Sequence, residues 1–130
     1  MVAVAMLHED DPREELKSKI GDLGAIDVFH NQVLVATYKR PEKTKSGLYL
    51  ADSTRKEDEY QGKVGLVLKK GPAAFVDEGN IQFHGMSVEV GDWVTYRFSD
   101  GFPLEINGVH CRLLEDSHVK LRVASPDLIR

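Results

Sequence analysis

The sequence predicts a small all-β domain of the barrel type, preceded by a short helical segment. Many short β-rich or alternating runs follow one another between residues 27 and 123, and turn residues, above all glycine, separate them. The 130 residues, 42% of them apolar, suffice for one core without metals or disulfides. We therefore expect an N-terminal extension at 1–25, partly helical, and a β-barrel domain at 26–130.

The first predicted element is a helix that begins next to Asp11. Aspartate is a favoured N-cap residue, and Pro12 suits the first helical position. An apolar stripe at i, i+4 and i+7 follows, made by Leu16, Ile20 and Leu23. We expect this helix to dock on the barrel or on a neighbouring molecule.

Two strands are predicted next, on either side of a long polar segment. The first covers about 32–39, and Pro41 ends it. The second covers 62–69 and contains Gly65, which predicts a bulge or a close backbone approach.

The polar segment between these strands, residues 43–61, carries one apolar island. Leu48, Tyr49 and Leu50 follow Gly47 and have charged residues on both sides. Such side chains cannot join a core unless a partner surface supplies one, so the segment is interpreted as a binding loop. The carboxylates at 57–59 are interpreted as solvated charge rather than as acid–base catalysts.

The second half of the chain predicts a meander. Two β-type runs, 73–76 and 81–84, flank the turn-forming sequence DEGN and predict a hairpin within 72–86. A short alternating piece at 88–92 and a strand at 93–98 follow. The aromatic residues of that strand are expected to pack against other strands rather than to bind a ligand.

The last predicted strands form a hairpin and an edge. Asn107 and Gly108 make a strong two-residue turn signal between strands at 104–106 and 109–114. An alternating run at 118–123 completes the predicted sheet.

Composition excludes several classes of partner. The net charge of −4 argues against general binding to nucleic-acid phosphates, which requires a basic surface. The single cysteine, Cys111, permits no internal disulfide and fits a reducing compartment. Residues 1–11 lack the basic start of a secretory signal, and no window approaches a membrane span. We expect a cytoplasmic protein that binds neither nucleic acid nor membrane.

The sequence predicts no catalytic residue, metal site or cofactor, and hence no enzyme. None of the five histidines has the spacing of a zinc ligand set, and no phosphate-binding glycine loop occurs. Cys111 is interpreted as a small core residue. A nucleophilic pair of Cys111 with a distant histidine stays open, because nothing in the sequence identifies that histidine.

The order of these features resembles the GroES-type co-chaperonins, the chaperonin-10 family of ring-shaped lids on the chaperonin folding chamber. The matching pieces are NQVLVATY, the polar segment with GLYL, the strand that opens with GKV, the hairpin insert, and VGDWV. With NGVHCRLLEDSHV and the short apolar end that follow, the resemblance covers roughly residues 27–129. The resemblance implies a GroES-like β-barrel in a homo-oligomer, expected to be a heptamer closed by pairing of terminal strands between subunits.

The resemblance also implies a role for the apolar island. In the family, the triplet of the mobile loop binds a hydrophobic groove in the apical domain of a GroEL-type chaperonin, and Gly47, Leu48, Tyr49 and Leu50 occupy that place here. The partner binds the ATP, so this chain is expected to need no cofactor.

The segment 72–86 corresponds to the roof hairpin of the family. The residues assigned to it on this basis are Phe75, Asp77, Glu78, Gly79, Asn80 and Phe83.

Two departures from the family pattern leave alternatives open. The N-terminal extension is absent from the ordinary pattern, and Tyr49 stands where an aliphatic residue is usual. Both suit a specialised or bacteriophage-encoded member. One alternative is a structural or virion scaffold protein that reuses the barrel without binding a chaperonin. A nucleic-acid reader or an enzyme fragment is disfavoured, because the chain has no basic face and no zinc-ligand set.

Overall fold

The part of the chain that the structure describes forms one short α-helix and six β-strands. The computed structural model describes residues 11–40 and 63–129. Helix α1 spans Pro12–Ile20. The strands are β1 (Gln32–Thr37), β2 (Val64–Lys70), β3 (Trp93–Thr95), β4 (Phe102–Ile106), β5 (Val109–Glu115) and β6 (Leu121–Val123). The prediction of an all-β fold with a short N-terminal helix is confirmed.

The six strands make one antiparallel sheet in the order β4-β5-β1-β2-β3-β6. Strand β1 lies near the centre, where Val33 pairs with Leu114 of β5 and with Lys70 of β2. A register shift between Leu34 and Val35 interrupts the β1–β2 ladder. The strands before and after the long polar segment, β1 and β2, are therefore the two central strands of the sheet.

The sheet buries side chains on both faces. One core cluster contains Leu34, Leu66, Trp93 and Cys111, and it gathers buried or half-buried residues from all six strands. Since the two outermost strands of the sheet both contribute to it, the sheet curls around this cluster, as a small barrel does. A second cluster on the other face contains Val33, Val35, Val67, Val94 and Leu114.

Helix α1 packs into the first of these clusters. The Asp11 carboxylate accepts a hydrogen bond from Arg13 N–H at 2.9 Å, as expected for an N-cap. Ile20 at the other end is 1% exposed, and its carbonyl accepts from Asn107 Nδ2 at 2.6 Å. After the helix, Lys69 Nζ donates to the carbonyl oxygens of residues 23 and 26. The helix is docked on its own barrel.

Gly65 marks a close approach between β1 and β2. A Cβ atom on Gly65 would lie 3.0 Å from Val35 Cβ and 3.1 Å from the Ala36 carbonyl oxygen. The predicted close approach is confirmed, and the register shift lies on the opposite strand.

The structure corrects the predicted hairpin at 72–86. Residues 71–92 contain turns and one 3₁₀ turn, Glu78–Asn80, but no strand. Phe75, Asn80 and His84 have φ angles of 60°, 55° and 53°, in the left-handed region that a strand cannot use. The alternating piece at 88–92 is also not a strand.

Two further strands are shorter than predicted. The strand expected over 93–98 ends at Thr95, because the chain turns after this residue. Arg112 stabilises the turn by donating hydrogen bonds to the carbonyl oxygens of Phe98 and Asp100. The strand expected over 118–123 starts only at Leu121. Before it, a 3₁₀ turn closes as Glu115 N–H donates to His118 Nδ1 at 3.0 Å.

Candidate functional site

Two paired residues, Tyr38 and Val64, flank the predicted binding loop at 43–61. The island itself, Gly47, Leu48, Tyr49 and Leu50, lies outside the described residues. Tyr38 N–H, just after β1, donates to the Val64 carbonyl at 2.9 Å. The chain therefore leaves the sheet and returns to it on adjacent strands.

Buried contacts fix the first of these positions. Tyr38 is 7% exposed, and its ring meets Trp93 edge-on at a centroid distance of 5.6 Å. Its hydroxyl donates to Asp127 Oδ1 at 2.6 Å, which also ties down the C-terminal turn Pro126–Leu128. Tyr38, three residues before segment 41–62, is thus held in the core.

The segment 72–86 folds back on itself without a strand ladder. The rings of Phe75 and Phe83 pack edge-on at 5.2 Å between centroids. The Asp77 carboxylate accepts hydrogen bonds from Ile81 N–H at 3.2 Å and Phe83 N–H at 2.6 Å. These bonds, foremost the one from Phe83, lower the pKa of Asp77 below 3.8. A carboxylate therefore holds this loop closed.

The tip of this loop is exposed. Glu78, Gly79 and Asn80 form the 3₁₀ turn, where Gly79 has a φ of 81°. Three large apolar side chains of the same loop also face solvent: Val76, Ile81 and Met86 are 63%, 78% and 64% exposed. The six residues assigned to the roof thus lie in one loop, with the aromatic pair half-buried and the tip outside.

Asp116 anchors the loop to the barrel. This residue is 5% exposed, and its carboxylate accepts from Asn31 Nδ2 at 3.1 Å and from Phe75 N–H at 3.0 Å. Its own N–H donates to the Asn31 carbonyl at 2.9 Å. Sequence reasoning missed this residue, because its partners lie 85 and 41 positions away.

The one cysteine is a core residue. Cys111 is 2% exposed, and burial raises the pKa of its thiol to about 11. Its Sγ donates weakly to the Val109 carbonyl. Within the described ranges, no group of three or more His, Cys, Asp or Glu side chains could hold a metal ion.

No helix among residues 11–40 and 63–129 combines the length and apolarity needed to cross a membrane.

Comparison with known proteins places these features in a family. The family model for the chaperonin 10 kDa subunit matches residues 25–121. Similar curated proteins include co-chaperonin GroES 5 of Rhizobium meliloti, 33% identical over 70% of this chain and 82% of that protein. Co-chaperonin GroES of Methylorubrum populi is 30% identical over 75% and 95%. Co-chaperonin GroES of Nitratidesulfovibrio vulgaris is 35% identical over 68% and 87%. The match starts after α1.

Proposed function

Since the chain belongs to the chaperonin 10 kDa subunit family, we propose that it is a lid subunit of a GroEL-type chaperonin. As a member of this family the chain is a co-chaperonin. In the proposed mechanism a ring of identical subunits binds the apical domains of the chaperonin through the mobile loops and closes the folding chamber. Nucleotide binds to the partner, and the cycle of the partner sets when the lid binds and leaves. The chain works in the cytoplasm, without catalysis or a cofactor of its own.

The observation that carries this proposal is the pairing of Tyr38 with Val64 at the base of segment 41–62. Tyr38 N and the Val64 carbonyl oxygen lie 2.9 Å apart, just after β1 and at the start of β2. A loop attached at these two positions can reorganise without disturbing the barrel. Its island, Leu48 to Leu50, has no charged residue within it, so those three side chains are the apolar surface that the segment offers to a partner groove.

The energetics of such a loop suit a lid that must leave. Ordering a flexible backbone costs about 1–2 kcal/mol per residue, which offsets much of what three apolar side chains gain on burial. A single loop therefore binds weakly. Several identical loops on one ring convert later contacts into intramolecular ones, and avidity rises by roughly 100- to 10,000-fold. Lid binding then depends on ring assembly.

The loop at 72–86 is proposed as the roof element of this ring. Asp77 accepts hydrogen bonds within the loop, and Asp116 accepts one that ties the loop to the barrel, which supports this role. The ring itself is proposed to be a heptamer, with heterologous contacts between terminal strands of neighbouring subunits.

The proposal is tested by replacing both leucines of the island, Leu48→Ser and Leu50→Ser, in one chain. Each leucine contributes about 1.5–3 kcal/mol when fully buried, so ATP-dependent association with a GroEL-type chaperonin should be lost. Native mass spectrometry with and without chaperonin and nucleotide gives the ring size and the complex together. The matched control, Ser53→Ala with Thr54→Ser, changes two positions of the same segment outside the island and should bind like the unchanged chain.

The ring should survive in the leucine variant, because in sequence the island lies between β1 and β2 and belongs to neither strand. Unchanged chaperonin binding by that variant would exclude the assignment of the island. A chain that forms rings but never binds a chaperonin, even unmodified, would instead favour a structural or scaffold role.

A further inference from the structure

The C-terminal turn Pro126–Leu128 is fixed against the barrel by contacts at both of its ends. Ser125 Oγ accepts from the Asp127 N–H at 3.3 Å, and Pro126 is buried. The Ile129 N–H donates to the Pro126 carbonyl at 3.3 Å, and the Ile129 side chain packs against the core cluster that α1 also joins. The turn therefore has a defined conformation, which sets the position of the Asp127 carboxylate.

Tyr38 joins this turn to the start of β2. Its hydroxyl donates to Asp127 Oδ1 at 2.6 Å, across 89 positions of sequence, and its N–H donates to the Val64 carbonyl at 2.9 Å. Hydrogen bonds to a carboxylate are roughly twice as strong as bonds between neutral groups. One residue just after β1 thus holds both the return of the chain into β2 and the C-terminal turn.

A second path through Trp93 connects the same two places. The Tyr38 ring meets the Trp93 ring edge-on at 5.6 Å, and Trp93 pairs with Val123 of β6 in the sheet. Only two residues separate Val123 from the C-terminal turn. The ring contact, the strand pairing and the Asp127 bond therefore form a closed circuit. A shift of Tyr38 or of β6 alone would break one of its contacts.

This circuit joins two surfaces that have different roles in the proposed function. β6 is an outermost strand of the sheet, where contacts between neighbouring subunits are proposed, whereas Tyr38 and Val64 flank the segment proposed to bind the chaperonin. We propose that the hydrogen bond between Tyr38 and Asp127 couples these surfaces, so that ordering of β6 in a ring also orders the base of segment 41–62. The inference rests on the proposed function for the identity of the two surfaces. Asp127 lies beyond residue 121, where the family match ends.

The coupling gives ring assembly a second effect on binding besides avidity. A neighbouring subunit that orders β6 and the turn after it restricts the movement of Asp127, so its bond to Tyr38 is formed for a larger share of the time. The base of the segment then loses less conformational freedom when the segment binds a partner, which favours binding. By reciprocity, a partner that holds Tyr38 and Val64 in place also stabilises the C-terminal turn.

Hydrogen exchange on the full-length chain, without chaperonin, tests the contact in both directions. Tyr38→Phe keeps the aromatic ring and removes only the hydroxyl, and we expect the amides at 121–123 and 127–129 to exchange about tenfold faster. Asp127→Ala should in turn speed exchange of the Tyr38 amide by a similar factor. Asp127→Asn keeps an oxygen acceptor and should retain most of the protection of that amide.

A double variant and a matched control separate coupling from general loosening. Tyr38→Phe combined with Asp127→Ala should exchange like Asp127→Ala alone, because the two changes remove the same bond. Glu105→Ala removes an exposed carboxylate from β4, at the opposite edge of the sheet, and should exchange like the unchanged chain. Additive effects in the double variant, or an effect of each change confined to its own neighbourhood, would overturn the proposal.

Binding to a GroEL-type chaperonin tests the consequence for the lid. Rings of the Tyr38→Phe variant should keep their mass in native mass spectrometry but bind at least about tenfold more weakly, since every loop of the ring is affected. Equal binding by variant and unchanged rings would overturn the coupling. If unchanged rings bind no chaperonin, the proposed function fails while the exchange results still stand. If unchanged rings bind and Tyr38→Phe leaves exchange unaltered, only the coupling fails.

Discussion

The backbone N–H of Phe75 donates to the buried carboxylate of Asp116 at 3.0 Å, across 41 positions of sequence. The same carboxylate also accepts from the Asn31 side chain. One charged group thus joins the start of the roof loop, the approach to β1 and the end of β5. A buried carboxylate that accepts several hydrogen bonds is costly to remove, because its donors stay behind.

Replacing Asp116 with Ala should destabilise the protein. The substitution leaves Phe75 N–H and Asn31 Nδ2 without this acceptor, and because both bonds are only partly buried, we expect a total loss of about 1–3 kcal/mol. The free energy of unfolding, from urea titration, measures the loss. Asp27→Ala removes an exposed carboxylate and should change it by less than about 0.5 kcal/mol. Equal stability of the two variants would contradict the anchoring role.

Gly71→Ala should be severely destabilising. A Cβ there would overlap the His30 carbonyl oxygen and approach the Phe29 carbonyl oxygen to 2.7 Å. Both atoms are backbone, so the chain before β1 must move, at a cost of at least about 1–3 kcal/mol. Thermal unfolding measures it. Gly24→Ala is the control, because its Cβ would meet only the movable Asp22 side chain, at 3.2 Å. A similar small loss in both variants would contradict the steric argument.

Local patterns predicted the parts of the fold that local chemistry determines. Asn107 and Gly108 have φ angles of 50° and 80°, the two left-handed positions that the predicted two-residue hairpin requires. The alternation on either side then predicted β5 and the last three residues of β4, which begins at Phe102, within the predicted turn at 99–103. Asp11 and Pro12 likewise predicted where α1 begins, because an N-cap depends on neighbouring residues only.

The loop at 72–86 shows why other parts could not be predicted. Its two runs have β-type residues, but Asp77 takes the N–H groups of Ile81 and Phe83 that a strand ladder would use. That competition depends on a three-dimensional loop geometry that residue preferences do not encode. Likewise, no short-range signal pairs Asp116 with Asn31. The assignment of the island at 48–50 stays a prediction, because it lies outside the described residues.

The thiol of Cys111 should be inert in the folded protein. With a pKa of about 11, only about one part in a thousand is thiolate at pH 8, and the side chain is also enclosed. Alkylation at pH 8, followed by mass spectrometry, should modify Cys111 only after denaturation. A variant with an exposed thiol, Ser117→Cys, should react at its new site in the native state. Rapid native labelling of Cys111 would contradict its place in the core.

The roof loop should open in acid as Asp77 becomes protonated. Hydrogen bonds from backbone N–H groups, foremost that of Phe83, favour the ionised carboxylate and lower its folded-state pKa below 3.8. The ionised group therefore stabilises the closed loop fully at pH values above 3.8, and this contribution is lost as the pH falls through the lowered pKa. The amide chemical shifts of Phe83 and Ile81, followed by NMR during acid titration, should report the change.

Two variants separate this titration from general acid unfolding. Asp77→Asn keeps an oxygen acceptor but no ionisable group, so the pH dependence of the Phe83 amide shift should disappear. Glu78→Gln removes the neighbouring exposed carboxyl and should leave that dependence as it was. If the Phe83 amide titrates equally in the Asp77 variant, another carboxyl holds the loop. If the Phe83 amide shift changes only together with the amide shifts of β1, the whole barrel is unfolding and the loop is not opening by itself.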